Sequence, residues 1–393
     1  MKKPPPVSEF VRFPITAGVA MLAIFVTVLD ASGRSIQPLV MNVRAFEGEP
    51  WRLVTSALPH ANALHLIFNI AWLWTLGTML EERFGSFRLL GLVLLFAAGS
   101  AAAEYAAFVG GIGLSGVVYG LFGLAWVLDR ADARMRGTVD ARTTQLFIGW
   151  FFFCIATTVL DVLPVANVAH GVGALLGVLV GLVITGGLRV ARRRASVRVA
   201  AGLVVLLVVA ASGAGATVLR PRVNLSKNGG SDSARLANEA FDAGNYDEAI
   251  SWYRKALVVS PKSAAFWYNL GIAHARKNEL DEATRAYTQA VALAPENVDM
   301  KRTLVDTKRY HAYTAQTGGK HDEAMRLYEE VLVLAGDDAI SLYNLSLTYK
   351  ELGRREEAAQ LRARALVLDA NIDSDPAEPS LDIDAGIERD AGP

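Results

Sequence analysis

Cysteine is nearly missing from this sequence: Cys154 is the only one in 393 residues. A single thiol cannot close a disulfide within the chain or build a cysteine-based zinc site, and lying in an apolar run it identifies no redox compartment. Net charge is missing too, with 39 Lys and Arg against 39 Asp and Glu. That balance gives no reason to expect a nucleic-acid partner. There is no His-Glu-x-x-His string, no Gly-rich phosphate cradle with a following lysine, and no pair of apolar-run aspartates with a Gly-Asp signature. No metal and no cofactor is therefore expected. The N-terminus, Met1-Lys-Lys-Pro-Pro-Pro, lacks an apolar run directly behind its charges and a cleavage signature. The run from Pro14 to Leu29 accordingly reads as a retained span and not as a signal peptide.

What the chain has in quantity is apolar residues, 52% of the total, gathered in its first 220 positions. Runs of spanning length fall at about 14–30, 63–80, 87–108, 115–128, 144–162, 168–187 and 199–218. A bilayer core needs roughly 20 apolar residues, with about 17 as the lower range. The fourth run is short because Asp129 and Arg130 end it. A helix that starts below the membrane surface is tolerable only if its approach lines a protein-enclosed cavity. Here the approach is Gly110-Gly111-Ile112-Gly113-Leu114, leading straight into Ser115. Basic residues at the N-terminus (Lys2, Lys3, Arg12), after the fourth run (Arg130, Arg134, Arg136, Arg142) and after the sixth (Arg189, Arg192, Arg193, Arg194, Arg198) fall on one side of a seven-span chain. The positive-inside rule makes that side cytoplasmic. Arg220 and Arg222, past the seventh run, count against the assignment and are outnumbered.

Beyond a polar linker the texture becomes amphipathic and repetitive. Tyr246-Asp-Glu-Ala249 recurs as Leu280-Asp-Glu-Ala283, His321-Asp-Glu-Ala324 and Arg355-Glu-Glu-Ala358, with alanine spacings of 34, 41 and 34. Four residues after each alanine come Tyr253, Tyr287, Tyr328 and, in the last unit, Arg362. Pro261 and Pro295 each end a unit, and Trp267-Tyr-Asn-Leu270-Gly271 opens the second. This resembles the tetratricopeptide repeat (TPR), a helical hairpin of about 34 residues. The seven-residue excess in the third unit is expected to lengthen the helix over 298–316, and Arg362 suits an exposed capping end. The acidic, aperiodic stretch 371–393 reads as disordered.

Polar residues in the apolar runs are the candidates for chemistry, because such groups are costly there. His65 and Asn69, four apart, share one helix face. Ser115 opens the fourth run with Tyr119 one turn below, and His170 begins the sixth. A nucleophilic serine needs a base for its proton and donors for the developing oxyanion. Ser115 and His170 can meet if the fourth and sixth helices pack closely. Gly116 and Gly120 on one, and Gly173, Gly177 and Gly181 on the other, have the small-residue spacing that permits close backbone approach. Taken singly, each feature has a bland reading: Ser115 as a small packing residue, His170 as a hydrogen-bonded packed group, Asn69 as interhelical glue. His60 lies within reach of the same end, as a supporting or plain loop residue. Trp150-Phe-Phe-Phe153 reads as a lipid-facing or packing surface, with a substrate gate as the sharper alternative. His274, His311 and His321 lie among the repeats and need no function.

Three segments in order, His65-Leu-Ile-Phe-Asn69, Gly113-Leu-Ser-Gly116 and Ala169-His-Gly-Val-Gly173-Ala-Leu-Leu-Gly177, resemble the signature segments of the rhomboid proteases. Trp51-Arg52 is similar to that family's Trp-Arg pair in the first outer loop. The resemblance covers about residues 10–190. It implies a Ser–His dyad without an acid, with Ser115 as nucleophile and His170 as general base and then acid. It also implies Tyr119 stacked on His170, and an oxyanion hole of His65, Asn69 and the Ser115 amide, with Gly113 and Gly116 supporting.

The expected architecture is all-α. A polytopic membrane bundle with a six-helix rhomboid-like core spans 1–190, a seventh span follows at 191–220, then a linker at 221–233, TPR-like repeats at 234–370 and the tail at 371–393. The expected activity is serine endopeptidase cleavage of transmembrane segments of membrane proteins, with a protein or peptide ligand on the repeats. The competing expectation is a non-catalytic membrane scaffold that recruits partners through its repeats. A transporter is disfavoured because the spans carry no evident buried charge. The expected setting is a bacterial inner membrane, with the N-terminus cytoplasmic and both the active site and the repeats toward the outer side.

Overall fold

The computed structural model describes residues 3–160, 162–163, 165–186, 194–220, 225, 229–373 and 379, and they contain helices and no strand. The chain divides into two compact units, Met1–Gly229 and Gly230–Pro393. Most of the expected linker, at 221–224 and 226–228, and of the expected tail, at 374–378 and 380–393, lies outside the described residues, as do Arg189, Arg192 and Arg193.

The first unit holds seven long helices: α1 (Pro14–Ala31), α2 (Ala63–Phe84), α3 (Ser86–Ala107), α4 (Ser115–Ala131), α5 (Ala141–Val159), α6 (Asn167–Thr185) and α7 (Arg194–Ala214). A π-helical turn, Gly215–Leu219, extends α7. Each helix stands where a span was expected. Five of them, α1, α2, α3, α6 and the α7 stretch Ala195–Leu219, are long and apolar enough to cross a membrane. The other two fall short for separate reasons. α4 has only 17 residues, and α5 opens on the polar Arg142-Thr-Thr-Gln145.

α4 is the axis of this unit. Every residue from Gly116 to Ala125 is buried, as are Val127 and Leu128. A helix that is apolar on all sides belongs inside a bundle, and Leu73, Leu76, Phe96 and Leu176 from its neighbours complete the packing around it. Large apolar side chains turned outward, such as Leu22 and Phe25 on α1 and Leu206 and Leu207 on α7, form the outer surface. α5 buries one face only, through Thr143, Phe147, Cys154 and Thr157.

Glycine lets α4 and α6 touch backbone to backbone. A Cβ built on Gly173 would lie 2.2 Å from the Gly116 carbonyl oxygen, and one on Gly177 would lie 2.0 Å from that of Gly120. Both are far inside contact distance, so any side chain at either position would force the helices apart.

Ion pairs mark one end of the bundle. Arg12 pairs with Glu82 at 2.6 Å and Arg83 with Asp132 at 2.8 Å, gathering the N-terminal segment and the ends of α2 and α4. At that end Glu81, buried, accepts the Ile15 and Thr16 N–H groups at 3.0 and 2.9 Å and so caps α1. The helices therefore do bury ionisable groups where none was evident from the sequence: Glu81 and Glu104 are each at most 4% exposed. Each is held by backbone donors of another helix, a pairing that is long-range in sequence.

The second unit is a run of helical hairpins: α8 (Ser231–Asp242) with α9 (Tyr246–Val259), α10 (Ala264–Arg276) with α11 (Leu280–Leu293), α12 (Val298–Thr317) with α13 (His321–Ala335), and α14 (Ala339–Glu351) with α15 (Arg355–Leu368). The repeat positions do what their spacing implied. Ala249, Ala283 and Ala324 are fully buried at the hairpin crossings, and Tyr253, Tyr287 and Tyr328 fill the adjoining gaps. α12 has 20 residues against 13 in α10 and α14, so the seven extra residues lengthen that helix. Arg362 is exposed and forks onto Asp373 at 2.8 and 2.7 Å. Order therefore runs past 371, where the tail was expected to begin: Ile372 is 1% exposed and packs into the last hairpin's core.

Candidate active site

The approach to Ser115 is shaped by glycine. Gly110 and Gly113 adopt φ of +115° and +109°, which side-chain-bearing residues rarely hold. The Gly113 N–H donates to the Ser56 carbonyl at 3.2 Å, fixing the segment to the turn that follows the short helix Arg52–Thr55. Arg52 holds the loop ahead of that turn, donating to the Val40 carbonyl at 2.9 Å and pairing with Glu49.

Tyr119, one turn along α4, shares the Ser115 face. The His170 ring lies flat on Tyr119, with centroids 4.7 Å apart and planes at 22°. Tyr119 is itself held by its hydroxyl, which donates to the Phe147 carbonyl at 3.2 Å. His170 is 4% exposed, and its Nδ1 has no hydrogen-bond partner among the described residues. The first turns of α4 and α6 touch, since a Cβ on Gly116 would stand 3.5 Å from the Ala169 carbonyl oxygen. Ser115, Gly116 and Ala169 line one small cavity of about 20 Å³ together with Ser56, Ser100 and Glu104.

His65 is set by the start of α2, where the Asn62 side chain accepts the His65 N–H at 2.9 Å. Its ring presses on Gly113: a Cβ there would be 2.7 Å from His65 Cε1. Asn69, 5% exposed, donates from its amide to the His65 carbonyl at 2.9 Å. An amide nitrogen carries two hydrogens, so a second donor remains.

His60 has a part that its sequence position left open. Its Nε2 accepts the Leu114 N–H at 3.3 Å and its Nδ1 faces the Leu58 carbonyl at 2.9 Å, so Nδ1 carries the proton. The ring also meets His65 edge to face at 4.9 Å. Burial, and then the neighbouring His65, push the His60 pKa down to about 4, keeping the ring neutral. Phe68 stacks on Trp150 across α2 and α5, with centroids 5.9 Å apart.

At the same end of α3, Arg220 from the last turn beyond α7 reaches the Phe108 carbonyl at 2.9 Å and covers the Tyr105 ring at 3.5 Å. In the repeats, His274 bonds Glu279 at 2.6 Å. The His311 Nε2 lies 3.7 Å from Glu323 and 3.9 Å from Asp281. These are the only three described residues whose potential ligand atoms come within 4.8 Å of one another as a metal-type group. They stand on α11, α12 and α13, and burial lowers the His311 pKa, which favours a neutral imidazole beside the two carboxylates.

The fold and this end of the bundle define a multi-pass helical membrane protein in which the helix that opens on Ser115 touches the helix that carries His170. The chain belongs to the rhomboid protease family: the Rhomboid domain matches residues 47–187, and the chain is 31% identical over 151 residues to the rhomboid protease GlpG of Haemophilus influenzae, covering 76% of that protein. It is also 31% identical over 191 residues to GlpG of Enterobacter sp. (strain 638) and 38% identical over 138 residues to GlpG of Serratia proteamaculans. These matches take up 43% and 33% of this chain, and the chain spans 66% and 46% of those two relatives' own lengths. Tetratricopeptide repeat families match residues 234–298 and 341–376. The crystal structure of MamA is similar at 24% identity over 37% of this chain and 82% of that one, with a TM-score of 0.27, too low to bear on the fold.

Proposed function

We propose that this chain is an intramembrane serine endopeptidase that cleaves transmembrane segments of membrane proteins. The observation that carries the reading is the α4–α6 contact, with His170 stacked on Tyr119, one turn along α4 from Ser115. In the proposed reaction His170 Nε2 takes the Ser115 proton as Oγ attacks the scissile carbonyl. The oxyanion is received by His65, the free hydrogen of the Asn69 amide and the Ser115 N–H. Collapse to the acyl-enzyme expels the amine, to which His170 returns its proton, and a water then attacks the ester by the same exchange in reverse. No hydrogen bond yet joins Ser115 to His170; such contacts commonly tighten only when substrate binds.

The length of α4 supports access for water. Seventeen residues make a helix of about 25 Å at the standard rise, against a hydrocarbon core of roughly 30 Å. Ser115 would sit recessed yet reachable from the near face. A substrate helix would enter between α2 and α5, where Phe68 and Trp150 meet. The ion pairs gathering the N-terminal segment with the ends of α2 and α4 support a cytoplasmic placing of that end and an outer placing of the site. Arg220, engaged on α3, weighs less as a topological charge than its position suggested. The repeats would then be outside the cytoplasm of a bacterial inner membrane. There they would hold a protein or peptide segment in a groove of about 880 Å³ bordered by Trp267, Arg254, Arg285, Lys308 and Arg326.

The test is fluorophosphonate labelling and cleavage of a transmembrane substrate by the purified full-length chain. Labelling and cleavage that both vanish in Ser115→Ala are the expected result. A folded wild type that neither labels nor cleaves would sink the enzyme and leave the scaffold.

A further inference from the structure

Glu104 is a carboxylate in the last turn of α3, 3% exposed, in a unit whose neighbouring helices are apolar. An ionisable group at that depth is expensive unless something specific holds it. Its Oε2 accepts the Ala169 N–H at 2.9 Å. α6 begins at Asn167, so Ala169 is among the first residues of that helix, whose N–H groups have no partner within the helix. The cap is thus supplied from another helix, 65 positions away in sequence, and the residue after the capped one is His170.

The histidine needs such help. Where a serine protease has a third member, a carboxylate on the imidazole Nδ1–H holds the ring in orientation. Here His170 Nδ1 has no hydrogen-bond partner among the described residues, and the ring stacks on Tyr119. We propose that Glu104 is a positioning residue for this reaction: by capping the first turn of α6 it fixes the His170 imidazole at Ser115, doing through the backbone what an acid elsewhere does through the ring. The inference rests on the proposed hydrolase activity.

The test uses the full-length chain and the pseudo-first-order rate of fluorophosphonate labelling, with thermal midpoint and final labelled fraction measured alongside. Glu104→Leu removes the acceptor and should slow labelling about 10- to 100-fold, the range for a catalytic group displaced by up to an ångström. With a transmembrane substrate, kcat should fall while KM stays within about twofold. Glu104→Gln keeps an oxygen that can accept from Ala169 and should recover at least about a third of the wild-type rate. A purely structural role would lower the thermal midpoint and leave the labelling rate of the folded fraction unchanged, and that result overturns the proposal. So does a Glu104→Gln variant as slow as Glu104→Leu. Should Glu104→Leu not fold, Glu104→Asp draws the oxygen back by about 1.5 Å, one carbon–carbon bond. It must then label more slowly at an unchanged midpoint, and a wild-type rate refutes the inference. A wild type that does not label at all would instead remove the hydrolase reading beneath it.

Discussion

The substitution Gly177→Ala should disable the site from two turns away. Gly177 lies on α6 below His170, and a Cβ there would stand 2.0 Å from the Gly120 carbonyl oxygen and 2.8 Å from the Leu124 nitrogen. Both obstacles are α4 backbone and cannot rotate aside. An ordinary carbon–oxygen contact is about 3.3 Å, so the helices must part by roughly 1 Å. Overpacking of this kind costs about 1–3 kcal/mol of stability. An ångström of misalignment between reacting groups costs on the order of 100-fold in rate. The labelling rate of Ser115 should therefore drop about 100-fold while most of the protein stays folded. Gly171→Ala is the control on the same helix, next to His170 itself. Its Cβ would meet only Phe151, at 3.6 Å, which is an ordinary contact, and alanine is the better helix former. It should label within about threefold of wild type. Gly177→Ala labelling at the wild-type rate, or Gly171→Ala slowed as much, would refute the claim that backbone contact between α4 and α6 sets the dyad.

Two further outcomes follow from the geometry. His60, outside the spans, has its pKa lowered to about 4 in the folded chain from 6.5, so below pH 6.5 the unfolded chain binds a proton that the folded one refuses. Stability should fall as pH drops from about 6.5 toward 4, by on the order of 3 kcal/mol across the window; thermal midpoints against pH check this, and a slope unchanged in His60→Gln would assign the loss to other groups. In the repeats, Tyr287 is 3% exposed against the notch left by Gly271 and beside Tyr268. Tyr287→Ala should cost about 3–5 kcal/mol, as for other large aromatic truncations, read as earlier thermal unfolding and faster proteolysis within 230–370; an unmoved midpoint would mean that the hairpins do not rely on this packing.

What could be read in the sequence had a period or a local pattern. The four-residue glycine spacing announced close helix contact, and Gly173 and Gly177 indeed face the Gly116 and Gly120 carbonyls. The repeat spacing announced hairpins, down to the seven residues that α12 gained. What stayed hidden were side chains whose partners are distant in sequence. His60 holds Leu114 from 54 positions away, and Arg220 reaches Phe108 across 112. The boundary at 371 was misplaced for the same reason, since Ile372 is ordered by packing that composition does not show.

The two buried glutamates did leave a readable trace. A negative charge near the C-terminus of its own helix opposes that helix's dipole, while one near an N-terminus is favoured. Glu81 and Glu104 each sit in the last turn of a span, α2 and α3, the unfavourable place for an acid. Each gains instead from the N-terminus of a neighbour: Glu81 from α1 and Glu104 from α6. In a bundle of antiparallel spans the end of one helix lies level with the start of another, so an acid misplaced on its own helix is well placed for the next. A lone acid in the final turn of an apolar helix can thus be read as a cap for a helix elsewhere in the bundle. The helix it chooses is fixed only by the fold, and for Glu104 that choice falls on the turn that carries His170.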